Sequence, residues 1–322
     1  MIDIINNKKN GKITFKYLYD NYSMIMIFAV MFIVLSIFVP YFLTLRNMIG
    51  LVLSVVTIGL IANTMMFALG SGDFDLSVGS IVAFSGVMVA VVVNSTGNVW
   101  LGIIAGILAG GLVGLINGFS VAVLGLNALI TTLATQMIFR GMTFILSGGR
   151  AVGIREAAFF KLGNSRLLDI PVPVWILIIS FIVFGVLLNN TVFGKNVLAI
   201  GGNTSAARLA GINVNFNKIT VFTLQGFMAG FAGVILASRM TSGQPNAAQG
   251  LELDVIAACV LGGVSLAGGI ATISGVIVGV LIMGMISNVL NLLNVATFYQ
   301  YVVRGLVLLI AIYLDKLKQQ SS

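Results

Sequence analysis

Long apolar runs fill most of this chain, and short polar stretches separate them. The runs are continuous rather than alternating, and each lasts about 18–22 residues. That length suits helices crossing a hydrocarbon core of about 30 Å. Helices also satisfy their own backbone polar groups, which lipid cannot do. A membrane β-barrel would show alternating segments of roughly ten residues instead. The pattern predicts an all-α polytopic membrane protein of about ten transmembrane helices. The expected spans are 24–43, 48–69, 76–94, 99–118, 127–147, 173–190, 218–238, 253–267, 270–292 and 297–314. The eighth is short and glycine-rich, so it reads as broken or re-entrant. Residues 1–22 form a polar tail, 23–315 a single transmembrane domain, and 316–322 a second tail.

Composition sharpens this. Hydrophobic residues make up 59% of the chain and charged residues 8%, and the mean hydropathy is +1.11. A soluble domain carries about 25% charged residues, so this chain cannot surround itself with a polar surface. Its net charge of +8 comes from tails and loops. Lys8, Lys9, Lys12, Lys16, Lys195, Arg208, Lys218, Lys316 and Lys318 cluster where a cytoplasmic side would be. They read as topology signals that place both termini inside, not as a nucleic-acid surface. The loop 148–172 is expected outside although it carries four basic residues. There is no histidine and one cysteine, Cys259. The commonest proton shuttle and metal ligand is therefore missing, and an intrachain disulfide is excluded. No P-loop pattern is present, so any ATP would bind elsewhere. No catalytic constellation appears, which argues against an enzyme.

Some apolar runs carry polar residues at helical spacing. Thr132, Gln136 and Arg140 lie four apart on one face, with Asn127, Thr131 and Thr135 beside them. Gln300 and Arg304 repeat that spacing. Such residues act either as glue between helices or as the lining of a translocation path. The candidate path residues are Asn127, Thr132, Gln136, Arg140, Gln300 and Arg304. The segments Gln136–Gly141 and Gln300–Gly305 echo each other in helices of opposite direction, as an inverted repeat would. A second echo, Ser85–Val87 with Ser274–Val276, has a different offset and joins helices of one direction. Glycine at 102, 106, 110, 114 and 118 forms a smooth stripe suited to close helix approach.

The run G-S-G-D-F-D-L-S-V-G at 70–79 puts two of the chain's nine acids between two apolar stretches. Gly72, Asp73, Asp75, Ser77 and Gly79 read as a hinge. Asp75 is placed to cap a helix starting at Leu76. Asp73 is expected to pair with a basic group such as Arg208, or one on a partner. Glu252 and Asp254 complement the start of the eighth helix. In the cytoplasmic loop 191–217, residues 203–211 read as a short helix capped by Thr or Ser and ended by Gly211.

The stretch A-x-G-G-N-x-x-A-A-R-L-A-G-I at 199–212, with G-x-x-D-L-S-V-G at 72–79, resembles membrane subunits of bacterial ABC importers for monosaccharides. This is the ribose/xylose/arabinose class. N-A-L-I-T-T-L-A-T at 127–135, A-S-R-M-T-S-G-Q-P at 237–245, A-C-V-L-G-G-V-S-L at 258–266 and Q-Y-V-V-R-G-L at 300–306 are similar to its arabinose members, as is S-G-D-F-D-L-S-V at 71–78. The resemblance implies a multi-pass subunit of the cytoplasmic membrane that forms the path for a pentose, L-arabinose. It implies a second permease copy, a sugar-binding protein and a separate ABC ATPase subunit. ATP would sit on that ATPase, and this chain would bind no cofactor. The coupling contact would involve Asn203, Ala206, Ala207, Arg208 and Gly211. The alternative, an ion-coupled secondary sugar transporter, needs carboxylates at mid-membrane, whereas the acids here read as lying at span edges.

Overall fold

The computed structural model describes residues 15–321. Of the basic N-terminal tail, Lys8, Lys9 and Lys12 lie outside the described residues. Continuous apolar sequence becomes helix nearly everywhere. Helix α1 (Phe15–Phe38) ends two residues before Pro40, which cannot continue it. The expected span 48–69 is two helices, α2 (Leu45–Ser54) and α3 (Val56–Gly70), bent by 41°. At the bend the Ser54 hydroxyl donates to the Leu51 carbonyl, and Arg239 donates to the Leu53 carbonyl at 3.2 Å. Both carbonyls also accept the Val55 N–H, so at the bend side-chain donors add to the backbone ones. All fifteen residues of α3 are buried, so it is the central helix of the bundle.

Next come α4 (Val78–Thr96), α5 (Val99–Ala122) and α6 (Ala128–Ser147). After them the chain forms β1 (Val152–Gly153), α7 (Ala157–Asn164), β2 (Arg166–Leu167) and β3 (Ile170–Pro171). Then follow α8 (Val172–Asn190), α9 (Val192–Gly202), α10 (Thr204–Leu209) and α11 (Val214–Met240). The chain ends with β4 (Ser242–Gly243), α12 (Leu251–Leu261), α13 (Ile273–Leu292) and α14 (Thr297–Ser321).

Among the described residues, α4, α5, α6, α8, α11 and α13 are each long and apolar enough to cross a membrane. The bent α2–α3 pair makes a seventh span if taken as one. The apolar parts of α1 and α14, Met24–Phe38 and Thr297–Tyr313, are shorter. The expected span 253–267 is not a helix throughout. Its helical part, α12, has eleven residues, and residues 262–272 are irregular. Gly263, Gly268 and Gly269 there adopt φ of +82°, +88° and +79°, which a helix cannot contain.

Packing follows the glycine stripe. In lipid there is little hydrophobic force between helices, so close van der Waals contact must hold them. The glycines of α5 provide it against α11. A Cβ on Gly114 would fall on the Phe222 carbonyl, and one on Gly226 would fall on the Gly110 carbonyl. Gly262 and Gly275 meet in the same way between the end of α12 and α13.

The two ends of α11 carry different structures. At its C-terminal end β4 pairs antiparallel with β1. There α7 docks through Ser238, whose hydroxyl donates to the Phe159 carbonyl at 2.7 Å and accepts from Gly163 N–H at 2.8 Å. At its N-terminal end sit α9 and α10. Segments 148–172 and 191–217 therefore occupy opposite ends of the bundle. The α5–α11 seam gives the first expectation. Gly226→Leu should abolish a monodisperse peak in size-exclusion chromatography, whereas Gly141→Ala, at an open position, should leave it intact. Equal behaviour of the two variants would contradict backbone-to-backbone packing at that seam.

Candidate functional site: broken helices and the side chains that hold them

The chain leaves helical geometry between α3 and α4. Gly72 takes φ of +81°, and the Gly70 carbonyl accepts Gly269 N–H at 2.9 Å. Helix α4 begins at Val78, not Leu76, and Asp75 is not its cap. The Asp75 carboxylate instead binds Ser77: Oδ1 accepts the backbone N–H at 2.8 Å and the hydroxyl at 2.6 Å. Ser77 Oγ also accepts from Asn117 Nδ2 at 2.9 Å. The Leu76 N–H donates to Thr132 Oγ1, on α6, at 3.1 Å. An apolar helix thus supplies the acceptor that the break lacks. The expected Asp73–Arg208 pair does not form. Asp73 pairs with Lys218, in the first turns of α11, at 2.8 Å, while Arg208 is exposed on α10. Lys218 lies beside the break, and its side chain is 18% exposed.

A second break, 241–250, separates α11 from α12. Thr241, Ala248 and Gly250 have φ of +55°, +57° and +75°. Arg140 donates from Nη1 to the carbonyls of Pro245 and Ala247, each at 2.8 Å. Gln136 donates to Glu252 Oε1 at 2.9 Å. From the other side Arg304 donates to Asp254 Oδ2 at 2.8 Å. The two Gln-x-x-x-Arg-Gly segments therefore converge on one short helix. Gln300 is the exception, because it bonds locally to Asn291 Oδ1 and the Val295 carbonyl. Asn127 serves as the N-cap of α6, accepting from Ile130 N–H, and is exposed. Gly79 lets Glu252 Oε2 approach the start of α4, where a Cβ would collide with it.

Glu252 and Asp254 were underread in the sequence. They do lie in the first turn of α12. They also face the middle of α6 and of the apolar part of α14, Thr297–Tyr313, rather than a span edge, since Gln136 and Arg304 are the ninth and eighth residues of those helices. Their rarity was the available signal: they are two of nine acids, two residues apart.

The third element is the short helix in loop 191–217. It spans Thr204–Leu209, and Asn203 rather than Thr or Ser caps it, accepting Ala206 N–H at 2.9 Å. Gly211 ends the turn with φ of +83°. Ala206 and Arg208 are exposed and Ala207 is buried. Leu209, which sequence reasoning passed over, is 91% exposed. Behind this helix three backbones meet. A Cβ on Gly201 would fall on the Gly70 carbonyl, and one on Gly268 would fall on the Gly201 carbonyl. The end of α9, just before α10, thus meets the end of α3 and the 262–272 segment backbone to backbone.

Two expectations follow from the first break. Removing one partner of a largely buried ion pair costs about 3–5 kcal/mol, so Asp73→Leu or Lys218→Met alone should lower the unfolding midpoint clearly. The double substitution should recover part of the loss; an additive double would contradict the pairing. Asp75, wholly buried in the loop between spans, has its carboxyl pushed up to about 6 by burial, partly opposed by the Ser77 hydrogen bonds. The folded state then holds a proton that the unfolded state releases at lower pH. Stability should fall as pH rises from about 4 to about 6 and level off above. Asp75→Asn should flatten that slope and raise stability at pH 7.5 by up to about 3 kcal/mol. An unchanged slope in thermal melts would refute this assignment.

Comparison with known proteins places these features in a family. The family described as branched-chain amino acid transport system / permease component matches residues 47–312. The L-arabinose transport system permease protein AraH of Escherichia coli (strain K12) is 54% identical over 308 residues, covering 96% of this chain and 94% of that protein. The L-arabinose ABC transporter permease protein AraH of Azospirillum brasilense is 57% identical, covering 93% of this chain and 88% of that protein. The ribose import permease protein RbsC of Bacillus subtilis (strain 168) is 43% identical, covering 90% of each. No solved structure matches. With the match spanning both breaks, the short helix α10 and both Gln-x-x-x-Arg-Gly segments, this chain belongs to the branched-chain amino acid transport system / permease component family of multi-pass membrane transport subunits.

Proposed function

We propose that this chain is the transmembrane subunit of an ATP-driven L-arabinose importer in the cytoplasmic membrane. The observation that carries the reading is identity above half, over nearly the full length, with two L-arabinose permeases. ATP is bound and hydrolysed on a separate ABC ATPase, and a sugar-binding protein delivers the pentose. The end of the bundle carrying α9 and α10 faces the cytoplasm, with both termini. Helix α10 presents Ala206, Arg208 and Leu209 to the ATPase, on a base set by Asn203, Ala207 and Gly211. An exposed leucine beside an arginine on a polar face suits a protein groove better than water.

A second copy of the chain pairs along α6 and α14. Their exposed aliphatic faces, including Ile130, Met137 and Ile145 on one and Val302 and Leu309 on the other, otherwise meet only lipid. Thr132, Gln136, Arg140 and Arg304 border the path through the breaks they hold. The two halves read as an inverted repeat. Each has a span leading into a break (α3 or α11), then D-L-S-V at 75–78 running into α4 or E-L-D-V at 252–255 in the first turns of α12, and a Gln-x-x-x-Arg-Gly helix.

An ion-coupled carrier would use Glu252 and Asp254 as ion ligands. Both are already engaged by Gln136 and Arg304, which favours the ATP-driven reading. Vesicles holding this chain, the ATPase and the binding protein should take up labelled L-arabinose only with ATP inside or outside as the ATPase faces. Leu209→Asp should reduce ATPase co-purification and uptake about tenfold or more. ATP-independent uptake driven by an ion gradient would overturn the proposal.

A further inference from the structure

A buried hydrogen-bond cluster fastens the α3–α4 break to α5. Asp75, Ser77 and Asn117 are each 0% exposed. Ser77 has one hydroxyl proton, and its 2.6 Å contact with Asp75 Oδ1 uses it. Asn117 therefore turns its Nδ2 towards Ser77 Oγ, which it reaches at 2.9 Å. That orientation leaves Asn117 Oδ1 as an acceptor. Asp75 Oδ2 is a second acceptor when the carboxyl is ionised. Neither atom has a partner among the described residues. Both sit on groups that already meet at Ser77 Oγ, so each lies within roughly 5 Å of that oxygen.

Charge points the same way. Helices α3, α4 and α5 carry no ionisable side chain. Among the elements packed on them, α11 brings Lys218, which Asp73 holds, and Arg239 at its far end, which holds the Leu53 carbonyl. Helix α6 brings Arg140, which holds the carbonyls of Pro245 and Ala247. Helix α12 brings Glu252 and Asp254, engaged by Gln136 and Arg304. Lys195 on α9 is exposed. No cation is left to neutralise an Asp75 carboxylate, and a buried unpaired charge is costly. Burial raises the Asp75 carboxyl, and only Ser77 opposes it.

We propose that Asp75 and Asn117 share one proton that locks the α3–α4 break to α5. Protonated Asp75 Oδ2 donates to Asn117 Oδ1, the Asn117 amide donates to Ser77 Oγ, and the Ser77 hydroxyl donates to Asp75 Oδ1. One proton turns one lone acceptor into the donor that the other needs, and it removes the buried charge. Helix α5 is itself fixed to α11, glycine on backbone, so the ring ties the break to the stiff part of the bundle. Moving residues 71–77 away from α5 opens the ring. Asp75 in water then returns to the ordinary carboxylate range and releases its proton. The closed break binds the proton more tightly, so opening becomes easier as pH rises through about 6. This holds whichever solute the permease carries.

Infrared difference spectra of the full chain in vesicles, taken between about pH 5 and about pH 8, test the lock. Wild type should show the C=O band of a protonated carboxylic acid at the lower pH, and Asp75→Asn should lack it. In Asn117→Leu the band should shift, because the acid O–H has lost its acceptor. If Asn117→Leu does not assemble, wild type labelled with carbon-13 at the asparagine amide carbonyl decides. Its difference spectrum should contain an asparagine carbonyl shift that Asp75→Asn removes. Absence of the Asp75 acid band at the lower pH would overturn the proposal and leave an ionised carboxylate held by water or a metal cation. A band unmoved in Asn117→Leu, or an asparagine carbonyl indifferent to Asp75, would overturn the shared proton.

Discussion

Hydrocarbon offers no partner to a backbone N–H or C=O, so every place where a membrane helix breaks must find its own. This constraint organises the molecule. The break at 71–77 uses Thr132 from α6 for the Leu76 N–H and the Gly269 N–H for the Gly70 carbonyl. The break at 241–250 uses Arg140 for two carbonyls in succession. The bend between α2 and α3 uses Arg239. Polar side chains that look misplaced in apolar helices are therefore the second halves of irregular segments far away in sequence. Their expense in lipid is offset by the backbone groups they satisfy.

The same residues link ends of the molecule. Helix α10 packs through Ala207 on Ile200 and Val214, and Gly201, the residue after Ile200, meets Gly70 and Gly268 at backbone distance. Gly70 opens the first break, and the 262–272 segment follows α12 directly. Beyond that cluster the junction is backbone on backbone, and interiors packed this closely transmit strain. The α5–α11 seam, also glycine on backbone, gives a stiff frame against which the breaks can move.

Much of this was legible in the sequence. Helical class, the α10 helix with its Gly211 stop, the close-packing role of the glycine stripe and the shared face of Thr132, Gln136 and Arg140 all follow from local periodicity and local geometry. What was hidden depends on tertiary position. The glycine-rich eighth span was legible as broken, but not that its helix stops at Leu261 and that three left-handed glycines turn residues 262–272 aside. Choosing Lys218 over Arg208 for Asp73 requires knowing that α11 starts beside a loop 145 residues earlier. Asp75 looked like a helix cap because acid before an apolar run usually is one; the helix starts two residues later because Ser77 takes both hydrogen bonds of Asp75 Oδ1. Glu252 and Asp254 read as ordinary helix-start acids until their partners on α6 and α14 were in view.

The structure turns on Arg140 holding segment 244–250 against α6 through two of its carbonyls. Spin-label distance measurement tests it most directly, with probes at Met137 and Gln249 in a Cys259→Ala background. The assembled importer would be compared without nucleotide and with a non-hydrolysed ATP analogue plus loaded binding protein. The account predicts one narrow short distance in the first state and a longer or second population in the other, with Arg140→Gln showing the second population in both. A single unchanged distance in every state would contradict it.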